Sequence, residues 1–287
     1  MEALRASYGE ASSDSDSDTS LPITTVIKTV STPKTEAASV ALPPPPLSLL
    51  TPPNSLDYLG SAQPGRVRSF PHVEGNYALH VYIPVYIPAT AKKGVAMLLK
   101  KVSSSVPGLH VVDADIPLNV LARDNDKLEQ IALGKEFHIS LGRTIPIRVH
   151  QIDSIVAMLR QKLQFQKRYL IDFSTWEIFV NDDQTRTFLS MEVVAGGLAE
   201  IVKQIRCVNE VYRLHNLPEF YKDPRPHISV AWALGDVSDS LKIAIEEEMK
   251  RSIMGSSSQK FIFSCKFSGI ECKIGNKLYK ICKNLDE

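Results

Sequence analysis

A chain of 287 residues has room for one large domain or two ordinary ones. Its hydrophobic share of 44% is enough to build a core and excludes disorder throughout. The formal net charge of +1 excludes a large basic coat for nucleic acid or membrane, but leaves room for a small basic cleft.

The first stretch does not read as a packed domain. "ASSDSDSDTS" (residues 11–20) and "ALPPPPLSLLTPPNS" (residues 41–55) combine short polar and acidic residues with a proline run that cannot bury enough apolar surface to fold. A disordered tail is expected over residues 1–66, and a folded domain over residues 67–287. The proline run favours polyproline II and has the form of an SH3 or WW ligand; the Ser/Asp run has the form of a phosphorylation target. There is no apolar signal core and no segment near the roughly 18 residues that cross a bilayer, so no membrane partner is expected.

From about Phe70 the pattern changes. A strand is expected over Tyr77–Ile87, interrupted at Pro84. A helix follows over Ala91–Ser105, then a short strand over Phe137–Leu141. Between Gln151 and Leu170, the apolar residues Ile152, Ile155, Val156, Leu159 and Leu163 recur at helical spacing. Strands are expected over Thr175–Asp182 and Thr185–Val194, joined by a turn over Asn181–Gln184. A second amphipathic helix covers Gly196–Asn216, and another strand starts at His227. A helix around Ser240–Met254 precedes strands over Lys260–Phe267 and Ile270–Ile274. The segment Asn276–Cys282 closes the sheet after an "IGNK" hairpin turn.

Two of these strands carry the same tripeptide: "FHISLGRT" (Phe137–Thr144) and "PHISVAWAL" (Pro226–Leu234). Side chains alternate along a strand, so His138 and Ser140 share one face while Ile139 points to the other; His227, Ser229 and Ile228 do the same. Each such strand is followed by a helix and then by two strands. That order predicts two related lobes, each an antiparallel-rich sheet with helices on one side. A lone histidine at the start of a strand is ordinarily a satisfied core or surface residue. Two copies in corresponding places favour a shared site. If the lobes pack as a pseudo-dimer, both His-Ser faces line one cleft.

That arrangement suits cleavage of a phosphodiester through a neighbouring 2′-hydroxyl. One neutral imidazole removes the 2′ proton while one charged imidazole protonates the departing 5′ oxygen. Serine hydroxyls donate to the non-bridging oxygens as charge builds there. This chemistry calls for no metal and no cofactor. His80, in the alternating "ALHVYI" strand, could line the same sheet but is read as structural, and His72, His110, His150 and His215 are read as surface or loop residues. Between Arg251 and Lys283 stand Arg251, Lys260, Lys266, Lys273, Lys277, Lys280 and Lys283 against Glu271 alone; this is either a solvated face or a phosphate attractor. Cys207, Cys265, Cys272 and Cys282 form no C-x-x-C pair and have no zinc spacing, which fits structural cysteines in a reduced, intracellular protein.

The paired His-x-Ser strands in a two-lobed chain resemble the 2H phosphoesterase superfamily, and within it the U6 small nuclear RNA phosphodiesterase family of oligouridine-trimming 3′-to-5′ exoribonucleases. The residues carrying the resemblance are "FPHVEGNYALHVYIP" (Phe70–Pro84), "FHISL" (Phe137–Leu141), "NDDQTRTFLSMEV" (Asn181–Val193), "LPEFYKDPRPHISVAWALGD" (Leu217–Asp236) and "CKIGNKLY" (Cys272–Tyr279). The resemblance implies an α+β, two-lobed, pseudo-symmetric 2H phosphoesterase fold, with helices outside and antiparallel-rich sheets lining a central cleft. It implies His138 and His227 as catalytic residues, Ser140 and Ser229 as phosphate-binding residues and Tyr221 as the ring on which the terminal base stacks. Without it, Tyr221 reads equally well as a loop aromatic covering the core. The implied partner is the 3′ end of U6 small nuclear RNA, handled by a monomer in the nucleus, with a 2′,3′-cyclic phosphate left on the trimmed end. A cyclic nucleotide phosphodiesterase of the same superfamily and a catalytically silent RNA-binding module are the alternative readings. The pair Arg225-Pro226 departs from the family pattern, in which a small residue and an aromatic often precede the second histidine.

Overall fold

The computed structural model describes residues 73–114, 116–253 and 262–283. The tail expected over residues 1–66, with its proline and Ser/Asp runs, lies outside the described residues, as does Lys260. The strands are β1 (Asn76–Tyr86), β2 (His110–Val111), β3 (Glu136–Ser140), β4 (Ile145–Arg148), β5 (Leu170–Val180), β6 (Arg186–Val193), β7 (His227–Leu234), β8 (Phe263–Lys266), β9 (Gly269–Ile274) and β10 (Lys277–Lys283). Four longer helices are α1 (Ala89–Ser105), α2 (Ile152–Leu163), α3 (Leu198–Leu214) and α4 (Ser238–Ile253). None of the described helices is long and apolar enough to cross a membrane.

Two antiparallel sheets form. In the first, the order is β10-β9-β1-β3, and β4 pairs with the start of β1 beyond the end of β3. In the second, the order is β8-β5-β6-β7-β2. Apart from β2 and β4, the two orders match strand for strand: β10 with β8, β9 with β5, β1 with β6, and β3 with β7. The expected α+β architecture with two related lobes is therefore present.

The repeat is laid out differently from its sequence reading. What recurs is the segment leading into each motif: a long strand, a helix, then the His-Ile-Ser strand returning antiparallel beside the first. β1, α1 and β3 make one copy, and β6, α3 and β7 the other. The strands that follow each motif are shared out across the lobes. β5 and β6 join β7 in the second sheet, whereas β9 and β10 come back from the C-terminus to complete the first. Element order along a chain does not say which sheet a strand joins, so the swap is invisible until the pairing is known.

Pro84 does not interrupt β1. Pairing with β9 covers Leu79 to Tyr82, and by Pro84 the strand is hydrogen-bonded on the β3 side, opposite His138. A proline without an N–H is tolerated where a strand has lost one neighbour. The helix expected to run to Leu170 ends at Leu163, and its apolar stripe Ile155, Val156, Leu159 and Leu163 is buried. α2 packs on α3, and α1 packs on α4. The buried side chains of both sheets and all four helices merge into one core. Within it, Phe137, Ile139, Ile228 and Val230 anchor the two motif strands by their inward faces. The four cysteines are unbridged, and burial raises the thiol pKa values, pushing Cys265 to about 11.

Candidate active site

β3 and β7 belong to different sheets but lie against each other at the seam between them. With Phe137 and Ile139 turned into one side of the core and Ile228 and Val230 into the other, His138, Ser140, His227 and Ser229 are left half-buried on the opposite faces. The two imidazoles are close enough for His138 to lower the pKa of His227. All four motif residues singled out from the sequence are therefore brought to one seam.

Each motif serine is backed by a residue of the preceding long strand. Ser140 Oγ lies 3.0 Å from His80 Nε2, and Ser229 Oγ lies 3.0 Å from Ser190 Oγ. Ser190 is fully buried and sits directly opposite Ser229 in the β6–β7 register. His80 also meets the ring of His138 edge-on at 4.9 Å, and stacks on Tyr82 at 5.0 Å. The reading of His80 as merely structural is thus incomplete, because its ring forms part of the site. Its place in an alternating strand already set its face. What the sequence did not contain was that β1 would run beside β3 with Tyr82 opposite Ser140.

The environments of the histidines differ. Burial, then His138 and Lys273, push His80 down to about 3, so this ring stays neutral across the physiological range. Burial lowers His138 as well, with Lys135 and Lys273 adding to the effect and Asp113 opposing it. Burial also lowers His227, opposed by its bond to the Arg225 carbonyl and by Glu192. That bond is short: His227 Nδ1 lies 2.7 Å from Arg225 O. A carbonyl only accepts, so Nδ1 carries the proton and Nε2 is left for chemistry. Phe179 stacks on the His227 ring at 3.9 Å and fixes its plane.

Arg225, the residue that departed from the family pattern, is held by carboxylates. Its Nε and Nη2 donate to Glu192 at 2.7 and 2.6 Å, and Nη2 also donates to Glu177 at 2.6 Å. Glu192 stands opposite His227 in the register. The Arg225–Glu192 fork therefore holds the carbonyl that orients the imidazole. No sequence signal marked this network, since its members lie on three strands or their approaches.

Tyr221 sits in the loop before β7, 46% exposed. One face of its ring is covered by the Arg143 guanidinium at 4.0 Å, and its hydroxyl donates to both oxygens of Asp182 at 3.2 Å. Arg143 in turn pairs with Asp182 at 3.0 Å. Arg143 leaves the first lobe just after β3, and Asp182 lies at the tip of the β5–β6 hairpin, so the trio joins both lobes beside Tyr221. The turn into Arg143 is tight, since a Cβ at Gly142 would lie 2.8 Å from the hydroxyl of the buried Tyr212.

Two imidazoles and two backed hydroxyls, one pair from each half of a pseudo-symmetric fold, are the constellation of a two-histidine phosphoesterase. The chain is similar to several known proteins. A family model described as HVSL, an uncharacterised conserved protein, matches residues 43–282, starting inside the stretch expected to be tail. U6 snRNA phosphodiesterase 1 of Danio rerio is 34% identical over 216 residues, covering 75% of this chain and 70% of that protein. The Homo sapiens protein of the same name is 28% identical over 217 residues, covering 76% and 73%. The solved structure of Kluyveromyces marxianus Usb1 with uridine monophosphate aligns over 71% of this chain and 97% of that chain, with 13% identity and a TM-score of 0.47. The chain belongs to the U6 snRNA phosphodiesterase 1 family.

Proposed function

We propose that this protein is a 3′-to-5′ exoribonuclease that trims the uridine-rich 3′ end of U6 small nuclear RNA in the nucleus. The observation that carries the mechanism is the pair of His-x-Ser strands turned to one seam, in a chain of this family. A neutral imidazole takes the proton of the penultimate 2′-hydroxyl as its oxygen forms a bond to phosphorus. The bond from phosphorus to the 5′ oxygen of the terminal residue breaks, and the other imidazole, charged, gives that oxygen its proton. The RNA keeps a 2′,3′-cyclic phosphate, and the terminal residue leaves with a 5′-hydroxyl. Ser140 and Ser229 donate to the non-bridging oxygens.

The test is to incubate the purified protein with RNA ending in uridines, in EDTA, and to map the products. Stepwise loss of terminal uridines with cyclic phosphate ends is expected. RNA bound but uncut would leave a silent binding module, and opening of small cyclic nucleotides without trimming would leave a cyclic phosphodiesterase.

The pH dependence follows from the two depressed histidines. A reaction needing one neutral and one charged imidazole gives a bell in kcat/KM, whose limbs are the free enzyme's two values. Burial lowers both rings from the ordinary 6.5, so the maximum of the kcat/KM bell is expected on the acid side of 6.5. A maximum above pH 7.5 would contradict that assignment.

Tyr221 is taken to stack on the terminal base, the role the family resemblance implies; its half-exposed ring supports this reading. Tyr221→Ala should weaken capture of that nucleotide by about 1–3 kcal/mol, the range for base–aromatic stacking. Tyr221→Phe keeps the ring but loses the bond to Asp182 and should fall between the two. Because stacking is indifferent to the base, uridine and adenosine ends should suffer alike. Equal KM for wild type and Tyr221→Ala would remove Tyr221 from the site.

A further inference from the structure

We propose that Lys273 on β9 is the cation that binds the scissile phosphate and offsets its growing charge, an inference that rests on the trimming reading above. β9 lies beside β1, and Lys273 stands directly opposite His80 in the register. Directly opposed residues share a face of the sheet, so Lys273 lies on the face that carries His80, Tyr82, His138 and Ser140. His80 in turn bonds Ser140 and touches His138. The positive charge of Lys273 reaches both rings, since it contributes to the lowering of His80 and of His138.

The other cations near the seam are differently placed. Arg143 is paired with Asp182, and Arg225 with Glu177 and Glu192. Lys135 lies over the ring of Phe137. Lys273 is exposed and forms no ion pair with a carboxylate among the described residues. The nearest acid on its own strand and face, Glu271, is engaged by the hydroxyl of Tyr82 at 3.0 Å. Lys280, opposite Glu271 in the β9–β10 register, shares this face one strand further out, but among the described cations of the basic stretch it is Lys273 whose charge acts on both His80 and His138.

The chemistry has a place for such a charge. As the 2′ oxygen attacks, the phosphate moves from one negative charge toward two. The serines are neutral donors, and both motif imidazoles are biased toward their neutral forms. A compact ammonium on a flexible stem can reach a non-bridging oxygen from one side.

The experiment compares wild type with Lys273→Ala and Lys273→Arg on a uridine dinucleotide and on RNA ending in uridines. Lys273→Ala should lower kcat/KM by about 10²-fold, the scale for one preorganised donor to a developing oxyanion, while Lys273→Arg recovers most of it. The limb of the kcat/KM profile that His138 governs should also move to higher pH in Lys273→Ala, because a cation that lowers His138 has gone. A folded Lys273→Ala within threefold of wild type, with an unmoved profile, would overturn the proposal. Binding of a 2′-deoxy dinucleotide, which cannot be cleaved, reads the phosphate contact without the reaction. Lys273→Ala should weaken it by roughly tenfold and Lys273→Arg far less, as for a charge-assisted contact to phosphate. Equal affinity would overturn the proposal whether or not RNA is trimmed, whereas weaker binding in an enzyme that trims nothing would sustain it and defeat only the trimming reading.

Discussion

Replacing His138 or His227 by alanine is expected to lower turnover by about 10²–10⁴-fold or more, the usual worth of a positioned acid or base. RNA binding should survive, since the serines, Lys273 and Tyr221 remain. The fold should survive as well. The motif strands are held by Phe137, Ile139, Ile228 and Val230, buried in the core on the opposite face. The two variants should not look alike. His227→Ala takes away the ring stacked on Phe179 and frees the Arg225 carbonyl, so some local loosening is expected there; His227→Gln refills part of that space and separates packing from proton transfer. Each variant should also lose one limb of the pH bell, and the limb lost identifies the acid and the base. A folded variant within tenfold of wild type would end the two-histidine mechanism.

The contrast between what the sequence disclosed and what it did not has a physical cause. A strand's period of two is a local property, so the shared face of His138 and Ser140, and of His227 and Ser229, was legible from the tripeptides themselves. The amphipathic helices were legible for the same reason. Pairing is not local. That β1 would continue through Pro84, and that β9 and β10 would cross back to the first sheet, depends on contacts between segments far apart in the chain. The supporting residues fall on that side of the line. His80 reaches Ser140 only because β1 and β3 pair, and Lys273 reaches His80 only because β9 and β1 pair. Arg225 looked like a departure from a family pattern until Glu192 and Glu177 were seen to grip it from β6 and β5.

The serines should show the second-largest effect. Ser140→Ala and Ser229→Ala are each expected to slow the chemical step by about 10²–10³-fold, the range for removing one oxyanion donor. A hydroxyl has a single proton, so it can stabilise the phosphate only if it spends that proton there. The two backing residues decide this. If Ser190 donates to Ser229 Oγ, the proton of Ser229 is free for the phosphate, and the same holds for Ser140 if His80 donates from Nε2. A ring held near a pKa of about 3 is neutral, so it carries one N–H and its tautomer sets the direction of the bond. His80→Ala, which removes that donor but leaves the Ser140 hydroxyl, should therefore cost a large part of what Ser140→Ala costs. His80→Gln, whose amide can still donate, should recover some of it. In the double variant His80→Ala with Ser140→Ala, the losses should fall well short of the product of the two, because both act through one hydrogen bond to phosphate. Fully multiplicative losses in kcat would mean that His80 acts on His138 instead, through the edge contact between their rings.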